Sequence, residues 1–219
     1  HVEVFVPDGE RLARKTLNAR LGVIGGLSIL GTTGIVRPMS HEAYVATIQK
    51  AMDVARAADL SHLVLTTGRR SERYAQSSWP ALPEAAFIQI GDFFQASLSA
   101  AADRGFSSAT LAVFFGKAVK MAQNAAHNHA AKSTMTLSAL SRWTLEATAD
   151  PALARRIAAA NTARHAFDPL RQKAPAVIAR VAEKARCCAE AFASRRFEVR
   201  CVIFDYDGGT TVDTHPDWG

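Results

Sequence analysis

The chain has 219 residues, of which 48% are hydrophobic and 21% are charged, and its net charge at pH 7 is +6. It is long enough for one large α/β domain with an appendage, and charged residues interrupt its apolar runs before the roughly 20 residues of a membrane helix. The basic balance favours an anionic partner, although solvated helix faces explain the arginine excess equally well. Lys and Arg nowhere form a run of five or more, so nucleic acid is not the predicted partner.

The first residues are interpreted as the end of a preceding structure. The segment 1–10 lacks the basic and apolar stretches of a secretory signal, and it also lacks a Met. We therefore expect residues 1–20 to be the remnant of a preceding domain with its linker, and residues 21–219 to form one α/β domain. The number of cysteines is odd, and Cys187 and Cys188 are adjacent in a predicted helix, which indicates a reducing, cytoplasmic setting.

Short β-like runs alternate with helical patterns between residues 27 and 115, which is typical of a parallel sheet with crossover helices. The predicted strands are 27–30, 62–66, 86–90 and 109–114. Ser40 is a suitable N-cap for a helix whose apolar positions begin at Tyr44 and recur at helical spacing. A second helix is predicted over residues 92–103, with Gly105 just beyond its end.

The chain becomes rich in Ala and Arg over residues 132–196, where helical periodicity predicts three or four helices. The prolines of this region are interpreted as helix starts or stops, and they lie in Asp150-Pro151, Asp168-Pro169 and at Pro175. Residues 197–204 alternate as a final strand that returns to the sheet, and Asp207-Gly208-Gly209 follows as a tight turn. Together these elements predict a Rossmann-like, mostly parallel α/β sheet with a helical C-terminal segment.

A Gly-Thr loop, Gly31-Thr32-Thr33-Gly34, follows the first predicted strand. Its glycines allow backbone N–H groups to face a ligand without obstruction by a Cβ atom. In an open α/β sheet, ligands bind at this carboxyl end of the strands. The loop is neither a G-x-G-x-x-G fingerprint nor a Walker loop, so a nucleotide-dependent oxidoreductase lacks support.

Four stretches stand out by their order and spacing: residues 2–40, Thr67 to Arg73, Gly91-Asp92-Phe93, and Phe114 to Lys117. In this order they resemble four stretches of the CbiD family. The first resembles that family's long linker with its first strand and loop. The other three are similar to its motifs Pro-Gly-Asn-x-Gly-Glu, Gly-Asp-Phe and His-Pro-Gly-Lys. The second stretch retains Gly68 and Glu72, and the last retains Gly116 and Lys117. The resemblance extends to about residue 129, and the Ala- and Arg-rich remainder is only compatible with it.

The resemblance implies methyl transfer from S-adenosylmethionine to ring carbon 1 of a cobalt-precorrin, a step of cobalamin biosynthesis. Such a tetrapyrrole carries many carboxylates, which suits a basic protein. The reaction needs positioning rather than acid–base catalysis, so no catalytic residue is predicted. The expected cofactor-binding residues are Gly31, Thr32, Thr33, Gly34, Gly68, Glu72, Gly91 and Asp92. The expected substrate-binding residues are Arg37, Lys117, His127 and His129.

The chain also departs from the family pattern. It lacks the family's N-terminal portion, and the polar residues that commonly follow His127 and His129 are replaced. The alternative is therefore a truncated, non-catalytic tetrapyrrole-binding or scaffold module, and a homo-oligomer remains an open alternative. The His-x-His pair provides two metal ligands at most, so no protein-bound metal is expected. The segment 205–209 resembles a phosphatase nucleophile loop, but too few residues follow it, and we interpret it as a turn.

Overall fold

The computed structural model describes residues 5–16, 18, 23–27, 41–123, 133–193 and 197–217, and of residues 133–136 only the backbone. The helices are α1 Gly9–Ala13, α2 His41–Ala57, α3 Arg69–Ser78, α4 Phe94–Asp103, α5 Phe115–Ala122, α6 Ser133–Thr148, α7 Pro151–Ala158, α8 Ala163–Lys173 and α9 Pro175–Phe192, with a 3-10 turn at Glu84–Ala86. The strands are β1 His62–Thr66, β2 Phe87–Gln89, β3 Ser108–Phe114, β4 Glu198–Phe204 and β5 Thr210–Asp213.

The five strands form one sheet in the order β2-β1-β3-β4-β5. The first four are parallel to one another, and β5 pairs with β4 in the antiparallel direction. The predicted mostly parallel α/β sheet is confirmed, and the strands predicted at 62–66, 86–90, 109–114 and 197–204 agree with the structure to within one residue at each end. The strand predicted at 27–30 lies outside the described residues except for Leu27, which is not part of a strand.

The sheet is covered on both faces because its strands carry apolar residues on both sides. Val199, Cys201 and Ile203 of β4 face the larger core, which contains residues of α2, α4, α5 and α9. Val202 and Phe204 alternate with them and face a smaller core, which α3 and the segment 79–86 cover. Near-continuous apolar strands of this kind are expected for parallel strands that are buried on both faces.

The C-terminal region forms helices α6 to α9, in agreement with the three or four helices predicted there. Asp150 caps α7 by accepting N–H bonds from Ala152 and Leu153, and Pro175 occupies the first turn of α9. The interpretation of Pro169 as a helix start or stop is wrong, because it lies inside α8. A proline there removes one backbone hydrogen bond, but α8 still buries its apolar face against α5 and α9, and this burial maintains the helix.

Within the described part of the chain, none of the helices combines the length and the apolar character that a membrane span requires.

Candidate functional site

The carboxyl ends of the four parallel strands bring several predicted site residues to one edge of the sheet. Gly68 follows β1, Gly91 and Asp92 follow β2, and Lys117 lies in the first turn of α5 directly after β3. The strand order reverses between β1 and β3, because β2 lies on one side of β1 and β3 on the other. The chain then leaves β1 for α3 on one face and leaves β3 for α5 on the opposite face. In doubly wound sheets a crevice opens at such a switch point, and ligands bind there.

The other predicted site residues lie outside the described residues: Gly31, Thr32, Thr33, Gly34, Arg37, His127 and His129.

Asp92 and Lys117 form an ion pair across this switch point. The Lys117 ammonium group donates a hydrogen bond to Asp92 Oδ1, and both side chains are partly exposed. The sequence analysis assigned Asp92 to the cofactor and Lys117 to the substrate, whereas the structure joins the two groups. In this state the charge of Lys117 is compensated, so a substrate carboxylate would have to compete with Asp92 for it.

Tyr44 of α2 covers the end of β2, and sequence reasoning placed it only on an apolar helix face. Its ring stacks on Phe93 with 5.0 Å between ring centroids, and its hydroxyl oxygen lies 3.2 Å from the position that a Cβ atom on Gly91 would occupy. Burial, together with the charge of Asp92, raises the pKa of Tyr44. His41, the first residue of α2, also contacts Phe93, with 5.5 Å between ring centroids.

The stretch from Thr67 to Arg73 contains the beginning of helix α3. Gly68 is the N-cap of α3 and adopts an extended backbone with φ of 161°. Ser71 closes the first turn, since its hydroxyl donates to the Gly68 carbonyl over 2.9 Å and accepts the Thr67 N–H over 3.1 Å. Glu72 is buried, and its Oε2 accepts a 2.7 Å hydrogen bond from Gln89 at the end of β2. The Glu72 carboxylate therefore connects α3 to β2.

A second group of residues at the same edge was missed by the sequence analysis. Phe114 ends β3 and Tyr206 follows β4, and their rings are stacked with 5.2 Å between centroids and 5° between planes. The Arg164 guanidinium of α8 lies 4.5 Å from the Tyr206 ring centroid, and that of Arg70 in α3 lies 5.2 Å from the Phe114 ring centroid. These four residues come from four separate parts of the chain, so no local motif could have predicted them.

Asp205 is used by the turn that joins β4 to β5. Its Oδ1 accepts N–H bonds from Asp207, Gly208 and Gly209 over 2.9, 2.7 and 2.8 Å. Burial alone would raise the pKa of Asp205, but these backbone bonds and the nearby Arg171 hold that pKa below its ordinary value. The interpretation of this segment as a turn rather than a phosphatase loop is therefore supported by the role of its first carboxylate.

Among the described residues, no group of three or more His, Cys, Asp or Glu side chains is arranged to hold a metal ion.

Comparison with known proteins gives two family-model matches, to CbiD over residues 1–38 and to the CbiD C-terminal domain over residues 127–215. The chain is 45% identical over 209 residues to the cobalt-precorrin-5B C(1)-methyltransferase of Nitratidesulfovibrio vulgaris, covering 94% of this chain and 54% of the relative. Proteins of the same name are 43% identical in Priestia megaterium and 39% identical in Pelobacter propionicus, covering 78% and 98% of this chain and 47% and 61% of the relatives.

These similarities extend into the Ala- and Arg-rich region, which by sequence was only compatible with the family. The chain spans about half the length of the first curated relatives it matches. No solved structure matches the chain.

Proposed function

The chain belongs to the CbiD family, and on this premise we propose that it is part of a cytoplasmic methyltransferase of cobalamin biosynthesis. The reaction proposed is the transfer of a methyl group from S-adenosylmethionine to ring carbon 1 of a cobalt-precorrin, as the names of the relatives indicate for those proteins. We further propose that the doubly wound sheet is Rossmann-like and that residues 21–219 form one domain.

The observation that carries the proposal is the meeting of Gly68, Asp92 and Lys117 around the switch point of the sheet. We propose that the Gly-Thr loop also contributes to this edge. The loop precedes His41 by only seven residues, and the His41 ring contacts Phe93 beside Asp92. Seven residues span at most about 25 Å, so the loop is within reach of the crevice.

The crevice has features that suit a methyl donor. A Cβ atom added at Gly68 would have no atom within 4 Å, so a ligand can approach the backbone there. Asp92 offers a carboxylate for a hydroxyl or ammonium group of the donor. A donor group that binds Asp92 would release Lys117 for a substrate carboxylate, and the ion pair would thereby exchange partners.

The donor supplies a sulfonium methyl group, and the electron-rich ring carbon of the substrate is the nucleophile. The contribution of this chain is to hold the two reactants in line and to exclude water from between them. No general base is required of the residues at the crevice.

The proposal is tested by titrating the chain with S-adenosylhomocysteine, the demethylated product. Binding to the native state alone raises the Tm by mass action, with about 2.7 kcal/mol of stabilisation at a ligand concentration of 100 Kd. We expect Lys117→Ala to weaken the binding of a tetrapyrrole but not that of S-adenosylhomocysteine, which no longer has to displace Lys117 from Asp92. Lys120→Ala, on the same helix, is the matched control and should change neither.

The absence of both heat and thermal shift at millimolar S-adenosylhomocysteine would remove the donor site from this chain. If the tetrapyrrole nevertheless binds, the chain is the non-catalytic tetrapyrrole-binding module, which is the second candidate.

A further inference from the structure

The feature that the proposed function does not use is the stack of Arg70, Phe114, Tyr206 and Arg164, which we name the arginine–aromatic column. Its order follows from the distances, since Phe114 and Tyr206 stack on each other and each carries one guanidinium group within 5.2 Å of its ring centroid. The column lies at the carboxyl ends of β3 and β4, the edge at which parallel sheets bind ligands.

The column is held rigidly. The Tyr206 phenol oxygen accepts a hydrogen bond from the backbone N–H of Gly116, and Phe167 contacts the ring edge-on with 5.5 Å between centroids. The guanidinium of Arg70 donates to the Tyr206 backbone carbonyl and, over 3.4 Å, to the Tyr74 hydroxyl. The Arg70 guanidinium is thus positioned before any ligand arrives, which lowers the entropic cost of binding one, and Arg164 is held by its contact with the Tyr206 ring.

Each of the two guanidinium groups keeps N–H donors available, since the hydrogen bonds of Arg70 described above use only its Nη2. Stacking uses the face of a guanidinium and leaves its in-plane N–H donors for planar anions such as carboxylates. Arg164 forms no ion pair or hydrogen bond with any described residue, although Asp168 follows it by one helical turn. Arg70 likewise has no carboxylate partner among the described residues.

The Asp205 carboxylate, next to Tyr206 in sequence, does not neutralise the column. Asp205 accepts three backbone N–H bonds, and its Oδ2 lies 3.7 Å from Arg171, so its charge is compensated within the turn. Asp168 and Asp207 are exposed and form no ion pair with a described residue, so water solvates them.

We infer that Arg70 and Arg164 bind carboxylates of the tetrapyrrole substrate, an inference that rests on the proposed function. Lys117 and Phe114 both lie where β3 ends, so the Asp92–Lys117 pair and the column share this end of the strand. The two guanidinium groups lie at opposite ends of the column, with the two stacked rings between them. A macrocycle with carboxylate arms around its rim can contact both groups, whereas a small anion cannot. The column therefore distinguishes a polycarboxylate from a ligand with few charges.

The experiment compares two porphyrin probes by fluorescence titration: uroporphyrin, which has eight carboxylates, and mesoporphyrin, which has two. We expect the wild-type chain to prefer uroporphyrin. Each of Arg70→Gln and Arg164→Gln should weaken uroporphyrin binding about tenfold, because each removes charge-assisted hydrogen bonds, and the double variant should lose the preference.

Arg56→Gln is the matched control. Arg56 also lies over an aromatic ring, 5.3 Å from the Phe106 centroid, and also donates to a backbone carbonyl, that of Leu60, but it lies at the end of α2 that precedes β1. This variant should bind both porphyrins as the wild type does. Arg164→Lys and Arg70→Lys keep the charge and lose the planar fork, so they should fall between wild type and Gln, and they replace any Gln variant that fails to fold.

Equal binding of uroporphyrin by the wild type and the double variant would overturn the inference and leave the proposed function standing. Binding of S-adenosylhomocysteine without any porphyrin binding would overturn it as well and restrict the proposed function to the donor. A chain that binds neither ligand would contradict both.

Discussion

Gly68 and Gly91 follow neighbouring strands at the same edge, but a side chain would be tolerated very differently at the two positions. The Gly68 backbone is extended, and no atom lies within 4 Å of an added Cβ. Gly91 has φ of +56°, which disfavours other residues, and the Tyr44 hydroxyl occupies the space beside it. Substitution at Gly91 would therefore disturb the fold, whereas Gly68 offers a probe of ligand approach that leaves the fold almost unchanged.

Gly68→Val is the corresponding prediction. The substitution should cost at most about 1 kcal/mol of stability, the scale of N-cap preferences, because the backbone is already extended. It should weaken binding of S-adenosylhomocysteine at least about tenfold, since branched bulk would fill the approach to the backbone. Calorimetric titration and urea unfolding measure the two effects separately.

Gly105→Val is the control for the Gly68 variant. Gly105 lies just after α4, before β3, and has φ of +73° with no atom within 4 Å of an added Cβ. The positive φ alone should lower stability by about 1–2 kcal/mol without affecting binding. Unchanged ligand affinity in Gly68→Val would show that the donor does not approach this backbone.

At the scale of elements, the strands predicted from the sequence are those that are most buried in the fold. β1, β3 and β4 are apolar runs with clear boundaries, and their limits agree closely with the predictions. β5 was not predicted as a strand because Thr210–Asp213 is short and mostly polar. Its extended form depends on pairing with β4, reinforced by the ion pair of Asp213 with Arg200, in which Oδ2 and Nη2 are 2.6 Å apart. Such a strand exists only in the context of its neighbour.

The candidate site, like the fold, could be predicted from the sequence only in part. The sequence predicts the positions of Gly68, Asp92 and Lys117 after strands, because the motif that contains each of them directly follows an apolar run. The ion pair of Asp92 with Lys117 could not be predicted, since it depends on the spatial order of β2, β1 and β3. The arginine–aromatic column depends further on α8, which is about a hundred residues from α3 in sequence.

His62 provides a prediction about how β1 is joined to β3. Its Nδ1 lies 2.8 Å from Ser108 Oγ and its Nε2 lies 3.1 Å from Thr110 Oγ1. Burial, with a smaller contribution from the charge of Arg200, lowers the pKa of His62 from 6.5 to about 4. Between these values the unfolded chain binds a proton that the folded chain does not, so stability is complete above pH 6.5 and falls as the pH is lowered toward 4.

The expected loss attributable to His62 is at most about 2 kcal/mol between pH 7 and pH 5. His62→Gln lacks this titration and should therefore show a correspondingly flatter pH dependence in urea unfolding. His165→Gln, at an exposed position of α8, should retain the wild-type slope. Equal slopes for the wild type and His62→Gln would mean that the histidine is not held neutral in the fold.

At the scale of the whole molecule, the larger core joins the sheet to the C-terminal helices. This single cluster of buried side chains extends from Ile48 in α2 to Ile203 in β4 and includes residues of α5, α6, α7, α8 and α9. The topology reinforces the connection, because β4 pairs with β3 in the sheet but follows it in sequence only after the five helices α5 to α9. Helix α9 packs against both α5 and β4. The helical region is therefore an insertion between two adjacent strands.

This arrangement predicts that the sheet and the helical region unfold together, and two tryptophans can report on them separately. Trp79 packs on the α3 side of the sheet, with the Arg200 guanidinium 5.3 Å from its ring centroid. Trp143 is buried in α6, with Lys184 Nζ of α9 5.4 Å from its ring centroid. One variant retains only Trp79 and another only Trp143, with the other tryptophans, including Trp218, replaced by Phe. In each variant, the urea midpoint measured by tryptophan fluorescence should coincide with the midpoint measured by far-ultraviolet circular dichroism. Coincident probes are the mark of a two-state transition. If the Trp143 signal changed at a lower urea concentration than the circular dichroism of its own variant, the helices would form a separate unit and the proposal of one domain over residues 21–219 would be wrong.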